Sequence, residues 1–152
     1  MRYNILFLIV LSICGCGSSP PASRDGPRDS EAVFQALAAA GVPYRRGGES
    51  YASGFDCSGL VAHVYQESFG IQLPHNARAQ SKIGRKVAAA DLEPGDLVFY
   101  HTEGPFSHVG IYLGDDRFIH APRPGAAVRI ENMRSAYWTR RFDGARRIPV
   151  PQ

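Results

Sequence analysis

After Lys82 the spacing of the apolar residues changes from a period of about 3.6 to a period of about 2, and this change decides the fold class. Upstream the pattern is helical. Ser30 can cap a helix over 30 to 40 whose stripe would be Val33, Phe34 and Leu37, with Gly41 as its stop. A second helix is expected from Cys57 to Phe69, with Leu60, Val61, Val64 and Tyr65 on its inner face and Gly70 as terminator. A short polar helix follows over 77 to 82. Downstream, the segments 96 to 100, 109 to 113, 117 to 120 and 127 to 130 are short, rich in β-branched or aromatic residues and separated by Gly, Pro or Asp, as in an antiparallel meander. The stretch from Tyr137 to Ile148 predicts a last strand. Helices first and strands second predict an α+β domain, its helices packed on one face of a curled antiparallel sheet.

A chain of 152 residues, 44% hydrophobic and 20% charged, is the size and balance of one globular domain. A net charge of +3, spread along the chain, is too small for a groove that contacts many phosphates, so nucleic acid is set aside as a partner. The N-terminus reads as an address. One positive charge at Arg2 precedes an apolar run from Ile5 to Ile13, too short to span a bilayer. Ile13-Cys14-Gly15-Cys16 resembles a bacterial lipoprotein signal with Cys16 as the lipidated residue; the alternative is a plain signal peptide cut near Gly17. Residues 1 to 15 would then be the signal, 16 to 29 a Pro-, Gly- and Ser-rich tether from a lipidated Cys16, and 30 to 152 the domain. This predicts a lipid-anchored protein on the periplasmic face of a bacterial envelope. Gly17-Ser18, with no Asp after the lipidated residue, favours the outer membrane over the inner.

Three cysteines, at 14, 16 and 57, exclude a disulfide scaffold and a four-thiolate zinc site. Once the signal is removed and Cys16 lipidated, Cys57 is the one free thiol. It opens a predicted helix, where the amide groups and the macrodipole favour an anion and should lower the thiol pKa. Gly54 and Gly59 on either side leave room for a substrate. A thiol nucleophile needs an imidazole to take its proton, and that imidazole needs an orienting partner. Of the five histidines, His108 opens one predicted strand and His120 ends the next. A hairpin turning at Asp115 sets His120 opposite Gly110 and His108 two residues away on the same face, diagonal neighbours about 7 Å apart by backbone. Val109, Ile111, Leu113 and Ile119 then point to the other face, toward the core. Cys57, His108 and His120 form the candidate catalytic set, with His108 as base and His120 as the residue that fixes its tautomer. His63 reads as structural or solvated, whereas His75 and His101 sit in loops that could line a cleft. A Cys-His-His zinc site uses the same residue types, but no Glu is placed to serve it as general base, so no metal and no cofactor is expected.

Seven motifs in order carry a resemblance. Tyr44-Arg-Arg-Gly47-Gly48, Phe55-Asp56-Cys57-Ser58-Gly59-Leu60-Val61, Leu73-Pro74, Leu92-Glu-Pro94-Gly95-Asp96-Leu97-Val98-Phe99-Tyr100, Ser107-His108-Val109-Gly110-Ile111-Tyr112, Phe118-Ile119-His120-Ala121 and the closing aromatic-Arg-Phe run are similar to those of the NlpC-type cell-wall cysteine peptidases. The resemblance implies a papain-like α+β fold and hydrolysis of amide bonds beside D-amino acids or diaminopimelate in the stem peptides or cross-links of peptidoglycan. It places the family's nucleophile on Cys57, its base on His108 and its third polar residue on His120. Tyr44 is carried over as a supporting residue for binding or the oxyanion, Ser58 as its companion in the Asp-Cys-Ser-Gly motif, and Asp56 as a helix cap or holder of the glycine-rich loop. Where the family commonly has Arg followed by Ser or Thr after Leu-Pro, this chain has His75-Asn76, at a position expected near the substrate groove. The rival expectations are a peptidoglycan-binding lipoprotein that does not cut, or an amidase or acyltransferase using the same thiol.

Overall fold

The computed structural model describes residues 27–151. The signal, the lipidated Cys16 and the tether up to residue 26 lie outside them. The first helix, α1 (Pro27–Ala38), starts three residues before Ser30, which therefore lies inside it rather than capping it. Proline suits a first helical turn because its missing N–H would have no partner there. The buried face is also not the expected one. Ala32 and Ala36, with Ala39 just beyond the helix, are fully buried, whereas Phe34 is 65% and Leu37 42% exposed. α1 packs on the second helix and the sheet through its smallest side chains, which lets the backbones approach more closely than a Phe and Leu stripe would allow.

The second helix, α2 (Cys57–Phe69), has the expected bounds and inner face. Asp56 caps it, its carboxylate accepting from the Gly59 amide at 2.8 Å. Gly70, at φ 66°, closes it in the left-handed conformation; its N–H returns to Gln66 and that of Ile71 to Tyr65. The Tyr65 hydroxyl donates to the Gly95 carbonyl (2.8 Å), tying α2 to the turn before the central strands. A third helix, α3 (Ala77–Gln80), is capped by Asn76. Its Gln80 is fully buried, with Nε2 donating to the carbonyls of Ser58 and Pro74. Between α1 and α2, the glycine-rich loop folds into a small hairpin, β1 (Glu49–Ser50) with β2 (Gly54–Phe55).

The main sheet has six antiparallel strands: β3 (Arg85–Val87), β4 (Leu97–Tyr100), β5 (His108–Gly114), β6 (Arg117–His120), β7 (Arg129–Asn132) and β8 (Phe142–Arg147). Their order is β3-β8-β4-β5-β6-β7. The expected α+β architecture is present, and β4 to β7 form the expected meander. The last strand instead returns across the sheet to pair with β4 and β3, a long-range partnership that local patterning does not encode. The strand expected over 127 to 130 lies at Arg129–Asn132, and Tyr137 and Trp138 stand on a short helix, α4 (Ala136–Thr139), rather than on the last strand. Between β5 and β6, Asp115 and Asp116 both have positive φ, as a two-residue hairpin turn of matching twist requires.

Leu97, Phe99, Val109, Ile111 and Ile119 face the helices, whereas Val98, Tyr100, Phe118 and Ala145 face a second apolar cluster closed by Trp138. The sheet is thus buried on both faces at its centre, not on one. At its edge, Arg147 grips buried Asp96 with two hydrogen bonds of 2.7 Å and also pairs with Glu93. This bidentate pair fixes the Pro-Gly-Asp turn against β8. Replacing Ala36 by Leu should overpack the helix interface and cost about 1–3 kcal/mol in chemical denaturation, whereas Phe34→Ser should stay within about 0.5 kcal/mol.

Candidate active site

Cys57 is the first residue of α2, and Asp56 organises what surrounds it. One carboxylate oxygen of Asp56 accepts from the Gly59 amide, from Ser58 Oγ (3.2 Å) and from His75 Nε2 (2.7 Å); the other accepts from the Gly47 amide (2.8 Å). The Asp56 amide in turn donates to the Gly48 carbonyl at 3.0 Å. Helix cap and loop holder are therefore one role. Gly59 is required for this closeness: a Cβ there would lie 2.0 Å from the Gly48 oxygen and 2.7 Å from His75 Nε2.

The amides of Val109, Ser58 and Cys57 itself donate toward the sulfur and favour the thiolate, yet the thiol pKa is pushed up to about 11. Burial is the largest cause, and the nearby Asp56 charge adds to it. The lowered thiol pKa expected from a helix N-terminus alone is thus reversed: desolvation and a carboxylate one residue away outweigh the amides.

His108 and His120 share a face of the β5–β6 hairpin, as the register requires. Ile111 pairs with Ile119 and Tyr112 with Phe118. His108 Nε2 and His120 Nδ1 are joined across 2.6 Å. Gly110 makes the space, since a Cβ there would sit 2.6 Å from the Phe118 ring and 2.8 Å from the Ile119 carbonyl oxygen. Both imidazoles are buried. Trp138 stacks on His108 with 22° between the planes and meets His120 edge-on. Burial lowers the pKa of His108 to about 4. His120 is lowered too, by burial first and then by His108 and Arg129. Its Nε2 is buried with no hydrogen-bond partner among the described residues. At neutral pH the resting site therefore holds a protonated thiol and two neutral imidazoles.

The structure brings Tyr44, Asp56, Cys57 and Ser58 to one place. The Tyr44 hydroxyl is held protonated, by burial first and then by Cys57 and Asp56, and its backbone amide is bonded to Ala126. Beside His108 opens a groove of about 600 Å³, lined among others by Thr102, Glu103, Arg123, Arg129, Tyr137 and Trp138. His63 packs against Tyr51 and Phe55, a structural placement. Two participants were not read from the sequence in these roles. Trp138 carries the signal of being the sole tryptophan, and His75, expected at the groove, instead binds Asp56. Among the described residues no group of three or more His, Cys, Asp or Glu is placed to hold a metal ion.

Residues 41–147 match the model of the NlpC/P60 family. The chain belongs to the NlpC/P60 family. It is 40% identical over 116 residues to the murein DD-endopeptidase MepH of Escherichia coli strain K12, a match covering 74% of this chain and 43% of that one. It is 35% identical over 158 residues to the probable endopeptidase NlpC of the same organism, covering 97% of this chain and all of the relative. Among solved structures, the NlpC/P60 domain of the peptidoglycan hydrolase SagA superposes with a TM-score of 0.71 at 32% identity, covering 79% of this chain and 98% of that domain. The chain spans 31 to 56% of the length of the first three curated relatives it matches.

The buried imidazoles make an acid-sensitive fold. Unfolded, His108 takes up a proton below about pH 6.5; folded, it resists until about pH 4, so stability is full above pH 6.5 and falls toward pH 4. The loss attributable to His108 should reach about 3 kcal/mol. Urea titrations at pH 7 and pH 4.5 should show it, and His108→Gln should weaken the dependence while leaving the part that buried His120 contributes.

Proposed function

We propose that this NlpC/P60 protein is a peptidoglycan endopeptidase that hydrolyses stem-peptide or cross-link amide bonds beside D-amino acids or diaminopimelate, with Cys57 as nucleophile. The observation that carries the reading is the His108–His120 pair at 2.6 Å, one residue from the Val109 amide that donates to the Cys57 sulfur. With His108 Nε2–H donating to His120, Nδ1 of His108 is left to receive the thiol proton. Because thiol and imidazole both rest neutral, that proton moves as the sulfur attacks the substrate carbonyl rather than beforehand. His120 Nδ1 then accepts from the imidazolium and steadies its charge. Amides at the start of α2 and the Tyr44 hydroxyl stabilise the oxyanion. His108 protonates the departing amine, and the acyl group stays on sulfur as a thioester. Water, deprotonated by His108, attacks that thioester and releases a carboxylic acid and the thiol. Asp56 and Ser58 hold the α2 terminus and do not exchange protons.

The names of MepH and of the SagA domain support a cell-wall substrate. Lipidation of Cys16 would hold the domain at the periplasmic face of the envelope, on the outer rather than the inner membrane, as the Ile13-Cys14-Gly15-Cys16-Gly17-Ser18 sequence favours.

Muropeptides of known cross-linking, incubated with the protein and read by mass spectrometry, should yield new fragments that name the bond. Cys57→Ala should yield none, and His108→Ala should reduce kcat by about 10²–10⁴-fold. His120→Ala should be less damaging, since it orients rather than transfers the proton. A Cys57→Ala protein that still cleaves would sink the mechanism; binding without fragments from either protein would favour a tethering role.

A further inference from the structure

The proposed mechanism makes no use of His75, although its ring is held against the cap of α2. It follows Pro74, whose carbonyl is held by Gln80, and precedes Asn76, the cap of α3. The ring fills the space that the missing Gly59 side chain leaves. Nε2 lies 2.7 Å from Asp56 Oδ1 and Nδ1 lies 3.3 Å from Glu49 Oε2. Ionised carboxylates only accept hydrogen bonds, so the ring donates to Asp56, while Glu49 sets a negative charge beside the other nitrogen. The ionisable groups facing the ring are thus Asp56 from the α2 cap and Glu49 from β1; Arg78 on α3 is turned away to the Pro105 carbonyl. Of the two acidic side chains, Asp56 is 16% and Glu49 69% exposed, so the Asp56 contact is much the less screened by water.

We propose that His75 is a positioning residue for the Cys57 site that acts through Asp56: its ring donates to the carboxylate beside the thiol and, next to Glu49, holds the glycine-rich loop against the cap of α2. Two hydrogen bonds join that loop to the terminus, the Gly47 amide to Asp56 and the Asp56 amide to the Gly48 carbonyl, and the Glu49–His75 contact lies beside them. The bond donated by His75 partly offsets the Asp56 charge, which opposes formation of the thiolate. An arginine at this position would hold the same two carboxylates.

This assignment rests on Cys57 being the nucleophile, and its test separates the two. Alkylation of Cys57 by iodoacetamide, followed by mass spectrometry of the peptide containing it, is measured on the whole chain and on His75→Ala and His75→Arg. Muropeptide hydrolysis and thermal unfolding are measured on the same three proteins. His75→Ala should be alkylated about tenfold more slowly than the wild type, the effect of about one pKa unit on the thiol, with kcat reduced and KM little changed. His75→Arg should keep the wild-type rate. The proposal is overturned if His75→Ala matches the wild type in rate, or if a folded His75→Arg does no better than His75→Ala. Should the wild type cleave no muropeptide, the substrate reading fails while the alkylation rates still decide the role of His75.

Discussion

The carboxylate of Asp56 is the joint on which the site hangs. It takes two backbone amides, a hydroxyl and an imidazole, and so pins the start of α2, the glycine-rich loop and the segment leading to α3 to a single point. Each attachment alone is a modest interaction, but together they leave the carboxylate no alternative orientation and leave the α2 terminus none either. That rigidity has a chemical consequence. A negative charge beside a partly buried thiol opposes formation of the thiolate, so the group that builds the site also restrains it. The N-terminal amides of α2 and the amide of Val109 work in the other direction, and the balance leaves a thiol that is protonated at rest.

The other half of the site is dry and aromatic. His108 and His120 lie between the sheet and Trp138, with Tyr100 and Phe118 completing the enclosure. Low polarity strips both imidazoles of charge, and the bond between them fixes which nitrogen of His108 remains open. A neutral, oriented base costs little to reorganise when a proton arrives. In the proposed mechanism thiol and imidazole both start uncharged, so no ion pair must be maintained in a buried place before substrate is bound.

Much of this was legible in the sequence where local rules suffice. The turn at Asp115 and Asp116 sets the hairpin register, and with it the shared face of His108 and His120 and the need for glycine at 110. The Asp56 cap, the inner face of α2 and the Gly70 stop follow from local chemistry as well. What could not be read depends on distant partners. Residues 33, 34 and 37 are the larger apolar side chains of α1, yet the buried face is the alanine one, because the neighbouring helix sets how close the backbones come. Strand β8 pairs with β4 and β3 across the whole domain. The proton affinity of Cys57 depends on burial by strands that follow it by fifty residues, and a helix N-terminus considered alone gives the wrong sign.

Trp138, the sole tryptophan of the chain, stacks against one imidazole of the pair and meets the other edge-on. Its indole is therefore an optical probe already built into the candidate site. A protonated imidazole in ring contact quenches indole emission by accepting an excited electron, which a neutral one does far less. Charge appearing on His108 can thus be followed in the unlabelled protein, in solution, without touching the thiol.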